Sequence, residues 1–149
     1  MVVPGCKRLA AGFTAVELVM TLVILGIIAA FGYPKMAETI RHTRVNQAVQ
    51  IVAADLGVAA SMASKDRRPM SFEGRSGDYV IRDRSTGVVR FRRTLGARSE
   101  WGLTLRFEPS MVQFFPSGMT SSPLRVVLST RGYGRQVQMT RAGFVRVLP

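Results

Sequence analysis

Residues 13–33 form an apolar run, FTAVELVMTLVILGIIAAFGY, with a single charge, Glu17. Leu18 to Tyr33 is an uncharged stretch of 16 residues, and the whole run covers 21 positions. As a helix it is roughly 30 Å long, enough to span a bilayer. A carboxylate inside such a segment costs about 2.5–3.5 kcal/mol on insertion scales unless it finds a partner. Glu17 is therefore the residue that most limits what this chain can do.

The run follows a basic stretch, residues 1–12, containing Lys7, Arg8 and the small residues Ala10-Ala11-Gly12. A secretory signal places its small-residue cleavage site after the apolar core. Here the order is inverted, so cleavage at Gly12 would keep the apolar segment in the product. Lys7 and Arg8 precede the run while Lys35, Arg41 and Arg44 follow it, so flanking charge does not orient it. The one cysteine, Cys6, precedes the apolar run, which is the wrong side for lipidation. With the leader removed, no thiol and no disulfide remain.

Gly12-Phe13-Thr14-Ala15-Val16-Glu17-Leu18-Val19 resembles the prepilin-type cleavage and methylation motif of type IV pilins and type II secretion pseudopilins. Gly, Phe, Thr, Glu and Leu stand in their family positions, and Ala15-Val16 replaces the more usual Leu-Ile. The resemblance implies a leader at 1–12, cleavage between Gly12 and Phe13 by a membrane aspartyl prepilin peptidase, and N-methylation of Phe13. It also implies a single-pass protein of the bacterial inner membrane with a periplasmic C-terminal domain. Its partners would be other (pseudo)pilins and an inner-membrane assembly platform.

The chemistry agrees with that resemblance. Gly12 has no side chain, so the scissile peptide can lie extended against a protease. Cleavage creates an ammonium at Phe13, one helical turn from Glu17. The carboxylate can neutralise its own amine or, as in the family, a neighbour's, and the helix macrodipole favours an acid there. A polar pair in apolar surroundings also sets register. Gly26 and Pro34 fall where such proteins carry helix-loosening residues. Pro34 removes a helical hydrogen bond, so residues 26–34 are expected to kink or open.

Residues 35–66 continue the helix as an amphipathic segment, ending near Ser64. Val45, Val49, Val52, Leu56, Ala59, Ala60 and Ala63 form one apolar stripe. Arg41, Arg44, Gln47, Gln50 and Asp55 occupy other faces, and this half is expected to lie against a sheet. His42, the only histidine, reads as a surface or subunit contact rather than a catalytic group. Lys65-Asp66-Arg67-Arg68-Pro69 stops the helix.

Residues 67–149 read as a β-rich domain. Candidate strands are 79–83, 88–93, 102–108, 111–115, 124–130, 135–140 and a largely buried 144–148. Turns are expected at Ser85-Thr86-Gly87, Pro109-Ser110, Gly132-Tyr133-Gly134 and Ala142-Gly143, with Gly74-Arg75-Ser76-Gly77 a flexible loop. The fold class is α+β: a long N-terminal helix, its first half transmembrane, packed on an antiparallel β-sheet domain, the plan of pilin-like domains. From Phe115-Pro116-Ser117-Gly118 to the Gly143–Val147 ending, the chain is similar to the minor pseudopilin GspH/FimT group. FimT-like members linked to DNA uptake tend to end in Gly-Arg-x-Arg; Gly143 and Arg146 stand in that pattern, and Phe144 replaces its first arginine.

The formal net charge is +12, and 18 of the 21 basic residues are arginine. Such an excess either attracts anionic partners or is simply solvated. Arg82, Arg84, Arg90, Arg92 and Arg93 cluster around one hairpin and, with Arg146, are the candidate DNA contacts. Any such binding would be electrostatic and salt-dependent. Asp66, Glu73, Asp78 and Asp83 read as surface counter-charges. With one histidine, no cysteine beyond the leader, no metal-ligand spacing and no phosphate-binding loop, no enzyme, cofactor or metal site is expected. Two functions remain. One is a minor pseudopilin at or near the tip of a type II secretion pseudopilus. The other is a FimT-like minor pilin that binds DNA during uptake.

Overall fold

A computed structural model describes residues 12–149, apart from the side chains of residues 32–34. Cys6, Lys7, Arg8 and the rest of the leader before Gly12 lie outside the described residues. The chain divides into two units, Met1–Glu38 and Thr39–Pro149. One helix, α1 (Ala15–Asp66), contributes to both.

In the first unit, α1 carries the apolar run. Phe13, Leu18, Ile24, Ile28 and Phe31 are all exposed. The helix is long and apolar enough to cross a membrane. Exposed leucines and isoleucines in such density suit a lipid environment rather than water. The helix α1 runs unbroken through residues 26–34.

In the second unit, α1 presents the expected stripe to the core. Val45, Val49, Val52, Leu56, Ala59 and Ala63 are buried, joined by Ala48. The helix ends on Arg67, which sits at φ 51°, and the Arg68 N–H reaches back to the Ala63 carbonyl at 3.3 Å. That is a Schellman stop built on a residue with a Cβ, followed by Pro69.

Eight strands follow: β1 (Met70–Arg75), β2 (Asp78–Asp83), β3 (Val89–Thr94), β4 (Thr104–Glu108), β5 (Met111–Phe114), β6 (Leu124–Thr130), β7 (Tyr133–Met139) and β8 (Val145–Leu148). They form two four-stranded antiparallel sheets, within the antiparallel β-sheet domain expected. The orders are β3-β2-β1-β5 and β4-β6-β7-β8. One core cluster joins the α1 stripe to both sheets through Phe72, Tyr79, Ile81, Val112, Leu105, Val126 and Val137.

Three expectations are corrected. Residues 74–77 are not a flexible loop. Gly74 and Arg75 end β1, an interior strand paired with β2 and β5, and Ser76-Gly77 is its two-residue turn, with Gly77 at φ 100°. Gly74 has a packing role: a Cβ there would lie 2.3 Å from the Phe107 ring of β4, so its hydrogen lets the two sheets close. Tyr133 and Gly134 open β7 instead of forming a turn. The last strand is an edge strand, partly exposed, with Phe144 just outside it at 69% exposure. It pairs only with β7, which leaves its other side open.

Candidate functional site

The N-terminal segment starts the helix in a specific way. Thr14 precedes the first helical residue, and its Oγ1 accepts the Glu17 N–H at 3.2 Å. Its carbonyl accepts the Leu18 N–H at 3.1 Å. Threonine at the N-cap with glutamate three residues on is the sequence of a capping box. Glu17 thus has a helix-starting position besides its place in the motif, which the sequence reading overlooked although T-x-x-E is visible there. Gly12 has open space around it, Phe13 is 81% exposed, and Glu17 is exposed. Gly26 also has room for a Cβ. Pro34 lies within α1, with its side chain outside the described atoms.

The arginine hairpin is less free than its composition suggests. Strand alternation sends neighbouring side chains to opposite faces. Arg93 stands opposite Tyr79 in the register and faces α1. Its Nε and Nη2 donate to the Asp55 carboxylate at 2.6 and 3.0 Å. The Tyr79 hydroxyl donates to the same carboxylate at 2.5 Å. Burial, reinforced by Asp55, pushes the Tyr79 phenol far above its usual range. Asp55 in turn holds the Arg93 guanidinium above its ordinary value. Arg93 also lies over the Phe91 ring, 4.7 Å from its centroid.

The other hairpin arginines are mostly engaged too. Arg90 bridges Asp83 at 3.4 Å and Asp66 at 3.6 Å. Arg82 lies 3.5 Å from Glu73 and donates to the Gly87 carbonyl at 3.2 Å. Arg84 donates to the Gln113 side chain. Among the described residues, Arg92 and Arg146 are exposed without an ion pair.

Two acids were misplaced by the sequence reading. Asp55 is buried at 8% exposure, on the helix flank facing the sheet instead of a solvent face. Asp83, expected as a surface counter-charge, is fully buried. Its Oδ1 accepts the Ser85 hydroxyl at 2.7 Å and the Ser85 and Thr86 N–H groups at 2.9 and 3.2 Å. The Ser85 hydroxyl leads these contacts in lowering the carboxyl to about 2, while burial opposes the shift. An Asx-type turn at the end of β2 was legible from Asp83-Arg84-Ser85-Thr86-Gly87. His42 stacks on Tyr133, ring centroids 4.1 Å apart, and the Tyr133 hydroxyl donates to Asn46 at 3.2 Å. Among the described residues no group of histidine, cysteine and acidic side chains is arranged to hold a metal ion.

The family model for type II transport protein GspH matches residues 48–143. The chain belongs to the GspH family. Solved structures agree on the fold. The type IV minor pilin FimU of Pseudomonas aeruginosa PAO1 aligns with a TM-score of 0.60 at 19% identity, covering 72% of this chain and 90% of that one. The minor pseudopilin EpsH from the type 2 secretion system of Vibrio cholerae aligns with a TM-score of 0.57 at 17% identity, covering 70% and 96%. No curated protein matches in sequence. This GspH-family chain is thus a minor pilin or pseudopilin by family and pilin-like in fold, with the N-terminal apolar helix that suits a membrane-anchored subunit.

Proposed function

We propose that this protein is a minor pseudopilin. It is cleaved between Gly12 and Phe13 by a prepilin peptidase, methylated on Phe13, and assembled at or near the tip of a type II secretion pseudopilus. The match to the type II transport family over residues 48–143 carries this reading. The Gly12-Phe13…Glu17 segment supports it, because it pairs a cleavable junction with a carboxylate that needs a cation in lipid. Head-to-tail, non-closing contacts between such subunits generate a helical fibre. The processed subunit waits in the inner membrane with its β domain in the periplasm, and the assembly platform draws it into the fibre. Softening around Gly26 and Pro34 would let the helix repack between bilayer and fibre.

The likeness to FimU favours a second reading, a minor pilin of a type IV pilus. In that setting DNA would meet a hairpin whose arginines are largely engaged with carboxylates and amides, leaving, among the described residues, Arg92 on the hairpin and Arg146 on β8 without an ion pair. Deleting the gene in the native host separates the two machines. Loss of secreted proteins from the medium with pilus-dependent motility intact supports the secretion reading. The reverse pattern replaces it with the pilus reading. Mass spectrometry of the membrane-extracted protein should show methylated Phe13 as the first residue, and a bulky substitution at Gly12 should leave the leader attached.

A further inference from the structure

The last strand leaves one side of its sheet open. Among the described residues β8 pairs only with β7. The Thr140 N–H donates to the Phe144 carbonyl at 2.9 Å, so by the alternation of an antiparallel ladder Arg146 and Leu148 form the bonded pairs with β7. Val145 and Val147 then turn their backbone N–H and C=O groups to the open edge, while their side chains pack on the core. Phe144, Arg146 and Leu148 take the opposite face, an apolar–basic–apolar series in which Phe144 and Arg146 are exposed. Edges are usually blunted by charge or covered; here a single arginine stands between two apolar side chains.

An apolar corner adjoins this edge. The Phe115 N–H closes its turn on the Met119 carbonyl at 2.9 Å, and the Thr120 N–H donates to the Arg141 carbonyl at 2.8 Å. A Cβ at Gly143 would lie 2.6 Å from the Gly118 carbonyl oxygen, so the two turns touch backbone to backbone. Met119 and Phe144 each follow one of the touching glycines, and both are exposed, as is Phe115. Large apolar side chains in water beside unpaired strand groups are the elements of a strand-addition site.

Charge decides what can occupy it. Arg141 is exposed at the same corner, and among the described residues neither it nor Arg146 has an ion pair. A second copy is a poor occupant. Strand β3, an edge of the other sheet, carries Arg90, Arg92 and Arg93, and laying it on β8 sets arginine against arginine. We infer that β8 receives an extended segment of a different subunit, with an acidic side chain opposite Arg146 and apolar ones opposite Phe144 and Leu148. Backbone bonds to Val145 and Val147 provide the pairing, and the alternating side chains provide the selectivity. That the segment belongs to a neighbouring (pseudo)pilin rests on the assembly reading above; the edge and its preference do not.

The probe is a fluorescein-labelled heptapeptide with valine, glutamate and valine at its second, fourth and sixth positions and threonine elsewhere. Titrated with the full chain in non-ionic detergent, it should bind saturably and slow amide exchange at Val145 and Val147, leaving β3 unchanged. Replacing its glutamate by lysine should weaken binding about fivefold, and Arg146→Glu should reverse that preference. Phe144→Ser should weaken binding of either peptide, while Arg92→Gln, on β3, should alter neither. Equal affinity for the two peptides would overturn the acidic partner, and protection at β3 instead of β8 would overturn the edge. Self-association of the chain that is lost in Phe144→Ser would put a second copy in place of a different subunit. Displacement of the peptide by a short single-stranded oligonucleotide at a lower concentration than unlabelled peptide requires would assign Arg146 to nucleic acid. No binding up to about 1 mM would overturn the site. Mature N-terminus analysis of the same sample reads the processing of the proposed subunit separately, so a failed titration does not bear on that reading.

Discussion

At the scale of single residues, Asp55 joins the helix to the sheet. Its carboxylate accepts from Tyr79 and twice from Arg93, which balances the cost of taking a charge out of water. Asp55→Ala leaves a buried phenol hydroxyl without its acceptor and a guanidinium without its counter-charge. Arg93 keeps about a third of its side chain in solvent, so water recovers part of the loss. The expected destabilisation is about 2–3 kcal/mol, read as a shift in denaturant midpoint. A shift below about 0.5 kcal/mol would show that the triad is replaceable by solvent. Asp83 makes a different prediction. Its folded carboxyl titrates at about 2 against an ordinary 3.8, so between those values the unfolded chain binds more protons than the folded one. Its stabilisation is complete above about pH 4 and disappears as pH falls toward 2. Ser85→Ala removes the leading cause of the lowered value, so the variant should lose less stability than wild type on going from about pH 5 to 2.5. Thermal melts across that range would check it.

The elements show which physical signals survive in a sequence and which do not. The α1 stripe was legible because valine and alanine recur with the helical period over five turns, and the structure buries that face. Strand β1 was not, because Gly74 reads as a breaker, while its actual role is set by Phe107, 33 positions later in the chain. Asp55 was hidden for the same reason: its partner Arg93, 38 positions later, becomes a neighbour only once the strand register is set. The arginine hairpin was legible as a hairpin but not as a surface, since alternation splits it between two faces. The helix stop yields a prediction of its own. Arg67 adopts a left-handed conformation that a Cβ disfavours by about 1–2 kcal/mol. Arg67→Gly should therefore stabilise the domain by about 0.5–1 kcal/mol after the entropy that glycine loses on folding. A melting temperature that falls would mean the Arg67 side chain contributes more than its backbone costs.

For the whole molecule the question is how one subunit recognises the next, and Glu17 carries two explanations that must be separated. As the third helical residue after Thr14, it belongs to a capping pair that starts α1. As a carboxylate at the head of an apolar helix, it is a proposed partner for a neighbour's Phe13 ammonium. The two roles need different parts of the side chain. A glutamine at position 17 keeps the capping geometry, since Glu and Gln both serve there, but abolishes the charge. A Thr14→Ala change keeps the charge and removes the cap, at about 1 kcal/mol. If charge pairing sets the axial register, Glu17→Gln and Glu17→Ala should both be processed normally and fail to enter filaments, while Thr14→Ala is incorporated at near wild-type levels. Incorporation would be read by cysteine crosslinking along the 45–63 face or by quantifying the subunit in sheared fibres. Normal incorporation of Glu17→Gln would overturn the pairing role. A Thr14→Ala defect equal to that of Glu17→Ala would transfer the requirement from charge to the start of the helix, because the same helix end would then limit assembly whether or not the carboxylate is present.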